Sequence, residues 1–509
     1  MNEIRFVDTT IRDGQASLWA MNMRTSHMLP AMPYLDAAGF EAIEFIATGS
    51  RLKKFVRHLK ENPWDWITKG AAAAERTPLR WHGPIDGSSM SGSVAPEVGE
   101  LLIEKAVALG IRYTRTGSNW NDFTLVGKQL KRFERLGMTP IVNVMYSVSP
   151  RHTDEYFITK AREAAALDPY RLCFKDVSGL LTPERTRTLL PRMMEAAGNV
   201  EWEFHGHRNN GLGPLNAVEA ATAGVRYLHS AVPPLANGNS QPSVYNLATN
   251  LRELGFDARV DEEVLRPATA HFEAVAKREK FPVGAPYEYD ERLYRHQVPG
   301  GMMSNLQYQL HLAGVEDKLE EVLEETARVR ADFGYPIMVT PLSQFVGSQA
   351  TINVITGERY AQVTDKTIEY ALGRHGGDEA IEAMDPDVRD RILDRPRARE
   401  FAAYEPPRVT LAQLRERYGR GVCDEDLILM SIVGDDAVDI VGSAGDPRRP
   451  VSSDRPLLQL LQELADRDEH RFISLQRPGL RLTMQKGVLA PRGVEHPAAP
   501  LAAHPTEKP

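Results

Sequence analysis

The feature that most limits the possible folds is a regular alternation of short β-branched runs with longer helical runs in the first half of the chain. The strand candidates are IRFVDTT, AIEFIAT, LRWHGPID, RYTRTGS, TPIVNVMYS, RLCFKDVSG, VEWEFHGHRN and VRYLHSAV. Each is followed by a segment with helical periodicity, such as VGELLIEKAVAL. About eight such units in roughly 250–285 residues predict a TIM (β/α)8 barrel over residues 1–285. An open doubly wound sheet is the alternative, which is less favoured because no G-x-G-x-x-G motif follows the first strand.

The alternation ends near the end of the predicted barrel, and different patterns follow. Residues 286–400 combine Gly-rich turns with helical periodicity, which predicts a second, mainly helical domain. A segment rich in Pro, Arg and Glu then suggests a linker. Residues 408–488 are expected to form a small C-terminal α/β region, with a strand in LILMSIVG, a helix in LLQLLQELADR and a hairpin in FISLQRPGLRLTM. The Pro- and Ala-rich tail, residues 489–509, is predicted to be disordered.

Composition excludes several classes of protein. The chain has 509 residues, 42% of them hydrophobic and 26% charged, which is typical of globular proteins of two or three domains. The formal net charge of −8 argues against nucleic acid as the main partner. We find no secretory signal and no apolar run long enough for a membrane span. Because Cys173 and Cys423 are the only two cysteines, a disulfide framework is not expected, and we predict a cytoplasmic protein.

Residues that can bind a cation lie at the ends of three predicted strands. Asp13 follows the first strand, Lys175 closes the sixth, and His205 and His207 close the seventh. In a (β/α)8 barrel the active site is built from the carboxyl ends of the strands and the loops after them. Residues two apart on a strand point to the same side, so both imidazoles should face the barrel mouth. Two imidazoles and a carboxylate suit a divalent first-row metal.

Structural explanations stay open for each of these residues taken alone. An H-x-H pair can be two hydrogen-bonded histidines, and Arg12 with Asp13 can form a loop salt bridge. A protonated lysine is a poor ligand because its ammonium group has no lone pair. Near a cation, however, a buried Lys175 can lose its proton and react with carbon dioxide, and the resulting carbamate could bind the metal. Three such motifs at one barrel mouth together favour a metal site.

Longer motifs run through the barrel and into the second domain. They are DTTIRDGQASLWAMNMRT, LDAAGFEAIE, ENPW, YSVSPRHTDEYF, FKDVSGLLTP, HGH, NSQPS, QVPGGMMSNL, VRADFGYP and VTPLSQFVGSQATINVITGERY. These motifs resemble those of biotin-dependent carboxyltransferase domains, the family of pyruvate carboxylase, the oxaloacetate decarboxylase alpha subunit and the transcarboxylase large subunit. More distant relatives of the DRE-TIM metallolyase type share the barrel and the metal motifs. The resemblance implies a barrel followed by a helical carboxylase-type domain.

The resemblance also implies roles for individual residues. Asp13, a carbamylated Lys175, His205 and His207 are expected to bind zinc or manganese, and Arg12 is expected to stabilise the enolate of a 2-oxo acid. A cation at this point would polarise the substrate carbonyl and hold the developing negative charge. The implied reaction moves a carboxyl group between carboxybiotin and a 2-oxo acid, such as pyruvate or oxaloacetate, or a related enolisable acid.

Two departures from the family pattern affect catalytic residues. A threonine that shuttles a proton in the family aligns with Asn239, and an amide cannot relay a proton as a hydroxyl can. The adjacent Ser240 could substitute for it if the loop is shifted. The family glutamine after the R-D pair aligns with Ala16, whereas Gln15 lies one position earlier. With Arg12, the catalytic candidates are therefore Gln15, Asn239 and Ser240.

Further departures affect substrate binding. The family arginine that grips the substrate carboxylate aligns with His82, which is shorter and only partly charged near neutral pH. A family tyrosine aligns with Ser89, and a family aspartate aligns with Lys53. Either the substrate differs from plain pyruvate or oxaloacetate, or Lys53, His82 and Arg115 rebuild an anion site from other positions. Both interpretations stay open.

The biotin attachment motif of the family, A-M-K-M, does not occur in the sequence. We therefore expect biotin on a separate carrier protein, with a biotin carboxylase subunit as a further candidate partner and a homodimer as the family's assembly. The main hypothesis is a carboxyltransferase subunit that acts on a small 2-oxo acid. The alternatives are a biotin-independent lyase or aldolase on the same barrel and, least favoured, a non-catalytic scaffold that keeps the metal for stability.

Overall fold

The computed structural model describes residues 2–47, 50–84, 95–404, 409–444, 461, 464, 472–477 and 480–485. The chain divides into two compact units after residue 450. No helix in the described ranges is long and apolar enough to cross a membrane. Ser89 and the segment LLQLLQELADR lie outside the described residues, apart from Leu461 and Leu464.

Eight parallel strands close into a barrel, as predicted. They are β1(Glu3–Asp8), β2(Ala42–Ala47), β3(Leu79–His82), β4(Tyr113–Thr116), β5(Thr139–Met145), β6(Arg171–Asp176), β7(Trp202–Gly206) and β8(Tyr227–Ser230). Each strand pairs with the next in sequence, and β1 closes the barrel by pairing with both β8 and β2. A short strand, β9(Asp257–Arg259), pairs with the amino-terminal half of β1. Because all eight strands run the same way, their carboxyl ends meet at one mouth.

In the described part of the barrel, twelve helices and two π-helical turns accompany the strands. The helices are α1(Gln15–Leu18), α2(Thr25–Met28), α3(Met32–Ala37), α4(Ser50–Lys53), α5(Pro63–Ala72), α6(Pro96–Ala108), α7(Phe123–Arg135), α8(Asp154–Ala165), α9(Pro183–Ala197), α10(Gly213–Ala223), α11(Val244–Glu253) and α12(Glu262–Glu279). The side chains of Asp122, Thr153 and Thr182 accept backbone N–H groups and begin α7, α8 and α9. The π-helical turns are Thr10–Gly14 and Lys54–Leu59, and a 3-10 turn spans Leu29–Ala31.

A second group of helices has its own hydrophobic core. These helices are α13(Leu293–His296), α14(Gly300–Ala313), α15(Leu319–Asp332), α16(Leu342–Thr356), α17(Asp365–Ala371), α18(Gly377–Ala383), α19(Pro386–Leu393) and α20(Pro396–Ala403), with a 3-10 turn at Glu316–Lys318. Phe333 stacks on Tyr370 at this core, and Trp120 from the loop after β4 joins it. Buried Arg330 donates to Ser147 Oγ and to the carbonyl of Val148, so it fixes α15 to the loop after β5.

The segment LILMSIVG forms a helix, so the strand predicted there is wrong. It lies in α22(Asp424–Val433), between α21(Leu411–Tyr418) and α23(Ala437–Ser443). Leu427, Ile428 and Ile432 are buried in the same hydrophobic core as the barrel. A short apolar run that is buried on several sides has no periodicity to separate helix from strand, which explains the error. In the second unit, β10(Phe472–Arg477) and β11(Leu480–Gln485) pair antiparallel and confirm the predicted hairpin.

Candidate metal centre and active site

Three predicted metal ligands converge at the mouth of the barrel. Asp13 Oδ2 lies 3.0 Å from His205 Nε2 and 3.4 Å from His207 Nε2, and the two Nε2 atoms are 3.3 Å apart. A tetrahedral zinc ion with bonds of about 2.0–2.1 Å would hold its ligands about 3.3 Å apart. The separations of these atoms therefore fit one shared divalent ion.

The Nδ1 hydrogen bonds of both histidines turn Nε2 towards Asp13, where it can bind a cation. His207 Nδ1 donates to the carbonyl of Asn239 at 2.7 Å. His205 Nδ1 lies 3.0 Å from Nδ1 of buried His229, whose Nε2 lies 3.0 Å from Glu203 Oε2. Since the carboxylate can only accept, the proton of His229 belongs on Nε2, and His205 Nδ1–H is then the donor to His229. Partners that orient ligating histidines in this way are typical of metal sites.

Asp13 is ionised at this position. Burial opposes ionisation, but Arg12 and the two histidines outweigh it and hold the pKa of Asp13 well below its usual range. Arg12 Nη2 lies 3.1 Å from Asp13 Oδ2, so the suggested loop salt bridge exists beside the ligand set. Ser17 Oγ donates to Asp13 Oδ1 at 3.2 Å and leaves Oδ2 facing the histidines. The carboxylate is thus oriented as a metal ligand requires.

Lys175 pairs in register with His205 on the neighbouring strand and lines the same cavity. Burial, then Arg115 and Arg12, lower the pKa of its amine to about 7. A neutral amine is the form that reacts with carbon dioxide, so this environment suits the predicted carbamate. Asp176 accepts the backbone N–H groups of residues 180 and 181 instead of pairing with the lysine.

A buried carboxylate, Glu44, organises two arginines at the mouth. Arg12 Nε donates to Glu44 Oε2 at 2.8 Å, and Arg115 Nε donates to Glu44 Oε1 at 2.5 Å. Burial disfavours the charge of Glu44, but Arg115 and Arg12 keep the pKa of its carboxyl well below the usual range. Arg115 Nη1 donates to Asn143, whereas its buried Nη2 has no hydrogen-bond partner.

His82 lies beside Arg115, because the two residues are register partners on β3 and β4. Both line the cavity, and the buried His82 Nε2 has no hydrogen-bond partner. Burial, Arg12 and Arg115 lower the pKa of His82 well below its usual value, so the imidazole is neutral. His82 and Arg115 therefore each hold a buried polar atom without a hydrogen-bond partner in the wall of the cavity.

The other predicted residues are placed differently. Gln15 lines the cavity, but its side-chain amide is already hydrogen-bonded. It donates to the carbonyl of Ile11 and accepts from the N–H of Met23 and the guanidinium of Arg51. Lys53 is not among the described residues that line the cavity, and burial and the nearby Arg57 lower its pKa.

The loop after β8 holds the last two catalytic candidates. Asn239 lines the cavity, and its side chain lies so close to Gly300 that a Cβ at that position would force the end of this side chain to move. Ser240 is fully buried and its hydroxyl contacts Gln241, so it does not line the cavity. Sequence reasoning missed Gln241, whose amide nitrogen contacts all three ligand atoms. Its place in the same NSQPS motif was the available signal.

The ligand set opens into a cavity of about 1350 Å³. Its inner end is formed by the barrel mouth, including Asp13, Lys175 and His207. Its outer end is formed by the second group of helices, including Leu342, Phe345 and polar residues near the start of α17. A cavity of this size is large enough for a small substrate beside the three converging side chains and for a second ligand above it.

Comparison with known proteins identifies the family. Residues 116–271 match the HMGL-like family, and residues 293–443 match the family described as the conserved carboxylase domain. The chain is 33% identical over 394 residues to a pyruvate carboxylase subunit of Methanocaldococcus jannaschii, with 77% of this chain and 68% of that protein covered. The chain belongs to the biotin-dependent carboxyltransferase family.

Other similar proteins support the assignment of this carboxyltransferase to the family. The 2-oxoglutarate carboxylase large subunit of Hydrogenobacter thermophilus is 30% identical, with 84% of this chain and 67% of that protein covered. The carboxyltransferase therefore spans about two thirds of the length of both relatives. The carboxyl transferase domain of Rhizobium etli pyruvate carboxylase has the same fold, with a TM-score of 0.76 at 21% identity and coverage of 89% of this chain and 79% of that domain.

Proposed function

We propose that this carboxyltransferase moves a carboxyl group between carboxybiotin on a carrier protein and a small 2-oxo acid. The observation that carries the proposal is the convergence of Asp13, His205 and His207 at the inner end of a cavity that has a second, helical wall. The names of two relatives, a pyruvate carboxylase subunit and a 2-oxoglutarate carboxylase subunit, support a 2-oxo acid as the substrate.

The ligand set would hold zinc or manganese, with a carbamylated Lys175 as an additional ligand. The metal, when bound, polarises the substrate carbonyl as a Lewis acid. Arg12 borders Asp13 and contributes a positive charge next to the oxygen on which negative charge develops. Glu44 keeps that guanidinium fixed, so little reorganisation is needed when the charge appears.

His82 and Arg115 would bind the carboxylate of the substrate. Each contributes a buried polar atom without a partner, and the two residues are neighbours across β3 and β4. A carboxylate would accept from Arg115 Nη2 and from His82 when Nε2 carries the hydrogen of the neutral ring. This arrangement favours a rebuilt anion site over the loss of carboxylate recognition. Lys53 has no part in it, because this residue is absent from the described cavity lining.

The proposal also includes a biotinylated carrier protein and a homodimer, both as in the family. The direct test is exchange of labelled carboxyl between oxaloacetate and pyruvate, with metal-loaded protein and a biotinylated carrier domain. A parallel reaction uses 2-oxoglutarate and its carboxylated product. Exchange with either pair that stops when avidin is added supports the proposal. Absence of exchange with both pairs, in protein that retains bound metal, contradicts it.

A biotin-independent lyase or aldolase is the second candidate, and Asn239 favours it. The cavity carries an amide where the family has a hydroxyl, and the hydroxyl of Ser240 is buried beside Gln241. Cleavage of an oxo acid needs stabilisation of an enolate but no proton relay to biotin. Decarboxylation of oxaloacetate that is unaffected by avidin and by removal of the carrier would support this candidate over the first.

A further inference from the structure

The side-chain amide of Gln241 lies against all three metal-ligand atoms. Its Nε2 is 3.2 Å from Asp13 Oδ2, 3.3 Å from His205 Nε2 and 3.0 Å from His207 Nε2. The three ligand atoms are 3.0–3.4 Å from one another. The four atoms therefore stand at the corners of a nearly regular tetrahedron, and one corner belongs to the amide.

The other end of the amide contacts two hydroxyl groups, which can donate or accept. Thr9 Oγ1 lies 2.8 Å from Gln241 Oε1 and 2.9 Å from the carbonyl oxygen of Ser230. A threonine hydroxyl has a single hydrogen, so it can donate to only one of these two acceptors. The Ser230 carbonyl also accepts the backbone N–H of Thr9, so it keeps a donor in either case. The Thr9 hydroxyl can therefore pair with either end of the Gln241 amide.

With a cation among the three ligand atoms, turning the amide by half a rotation satisfies every group that it contacts. The NH2 end then donates to Thr9 Oγ1 and to Ser240 Oγ, which lies 3.3 Å away, while the Thr9 hydroxyl donates to Ser230. The amide oxygen replaces the nitrogen at the fourth corner of the tetrahedron. An amide NH2 has no available lone pair for a cation, whereas an amide oxygen is an ordinary ligand of divalent metals.

We propose that Gln241 is a metal ligand of this carboxyltransferase through its side-chain oxygen. The inference rests on the metal site of the proposed function and adds a ligand to it. Gln241 is fully buried and its backbone carbonyl accepts from Asn237, so the side chain is held in place before the metal arrives. With this amide added to Asp13, His205, His207 and the proposed carbamate of Lys175, the substrate oxygen must either join as an extra ligand or displace the neutral amide, which is the weakest of the five.

Two substitutions separate a ligand from a merely structural residue. Gln241→Leu removes the oxygen, and Gln241→Glu keeps an oxygen at the same distance from the backbone and adds a charge. The metal dissociation constant, measured by competition with a chromophoric chelator for Zn²⁺, should rise at least 10–100-fold in Gln241→Leu. It should stay near the wild-type value or fall in Gln241→Glu. Gln129→Leu, at a cavity glutamine on α7 away from the ligands, should leave it unchanged.

Direct structural evidence makes the test independent of how the variants fold. A crystal structure of the Zn²⁺-loaded wild type should have Gln241 Oε1 about 2.0–2.3 Å from the ion. An Oε1 more than about 3 Å from the ion, or a Gln241→Leu variant that binds Zn²⁺ as tightly as the wild type, overturns the inference. A wild-type protein that binds neither zinc nor manganese would instead contradict the metal site of the proposed function.

Discussion

His229 Nδ1 lies 3.0 Å from His205 Nδ1 in the interior of the barrel, and this contact determines which nitrogen of His205 faces the metal site. Glu203, which accepts from His229 and from Arg80, stands behind the pair. Burial opposes the charge of Glu203, but Arg80 and His229 lower the pKa of its carboxyl. The barrel interior thus carries a hydrogen-bonded chain from a fixed carboxylate to a metal ligand.

Loss of this chain should weaken metal binding without touching any ligand. His229→Leu leaves His205 Nδ1–H without its acceptor, so the ring is free to present either nitrogen. We expect the metal dissociation constant to rise about 10–100-fold, the usual effect of losing a partner of a ligating histidine. Chelator competition measures it, and His152→Leu, at a buried histidine outside the metal site, is the matched control. Equal affinity in His229→Leu and the wild type would show that the chain has no positioning role.

His82→Ala should raise the KM for the 2-oxo acid and leave kcat nearly unchanged. Removing a hydrogen bond to a charged group costs about 1.5–3 kcal/mol, which corresponds to about 10–100-fold in KM. Steady-state kinetics of carboxyl exchange provide the measurement. Ser348→Ala, at an exposed hydroxyl on the helical wall of the cavity, should change neither constant. A KM that does not move in His82→Ala would argue that the substrate carboxylate binds elsewhere.

Gly300→Ala should be damaging only while Asn239 keeps its side chain. A Cβ at Gly300 would overlap the amide of Asn239, whose backbone carbonyl accepts from His207. We expect a loss of about 1 kcal/mol in the free energy of unfolding, at the low end of the range for overpacked sites, because the end of the Asn239 side chain can turn away. The same change in an Asn239→Ala background should cost much less, because the clashing atoms are gone.

Unfolding monitored in urea measures all four proteins of this cycle. Gly347→Ala is the matched control, since a Cβ there meets no atom within 4 Å. The contact between Gly300 and Asn239 would be contradicted if the free energy of unfolding lost in the double variant equals the sum of the losses in the two single variants.

The barrel, and the meeting of Asp13, His205 and His207 at its mouth, could be predicted from local patterns. The β-branched runs define the strands, and the position of His205 and His207 at a strand end implies the mouth of the barrel. These inferences need only short-range order and the rule that parallel strands end at one edge. Local patterns failed at Leu427–Gly434, where a strand was predicted and a helix forms. The reason is that α22 is stabilised by packing on the barrel, which the local sequence does not specify.

Other parts of the site depend on contacts that no local pattern contains. Gln241 meets Thr9 and Asp13 across more than 220 positions of sequence, and His229 meets His205 only because β7 and β8 are neighbours. Lys53 was predicted for the substrate site from its alignment with a family aspartate. Its place on α4 depends on how that loop turns, which the spacing of residues does not determine.

Asp8 should make stability depend on pH in a direction opposite to that of most carboxylates. Burial raises its pKa to about 7, although Thr10 donates to it, and its Oδ2 has no hydrogen-bond partner. The folded protein therefore holds this proton more tightly than the unfolded chain, in which Asp titrates near 3.9. This tighter binding of the proton stabilises the folded protein below about pH 4, and the stabilisation is lost as the pH rises to 7. Asp8→Asn abolishes this dependence, so the stability of the variant relative to wild type should increase with pH, on the order of 1 kcal/mol per unit.

Urea unfolding between pH 4 and 7 measures this difference. Asp436→Asn provides the contrast, because the hydrogen bond from Arg57 lowers the pKa of Asp436. A carboxyl group with a lowered pKa stabilises the folded protein at pH values above its pKa in the unfolded chain. This stabilisation is lost as the pH falls through the lower pKa of the folded state. The relative stability of Asp436→Asn should therefore be nearly constant between about pH 5 and 7 and rise slightly as the pH falls towards 4, because both states of this exposed ion pair are ionised over most of the range. A pH-independent difference between Asp8→Asn and wild type would mean that Asp8 is ionised in the folded barrel, which its unpartnered oxygen argues against.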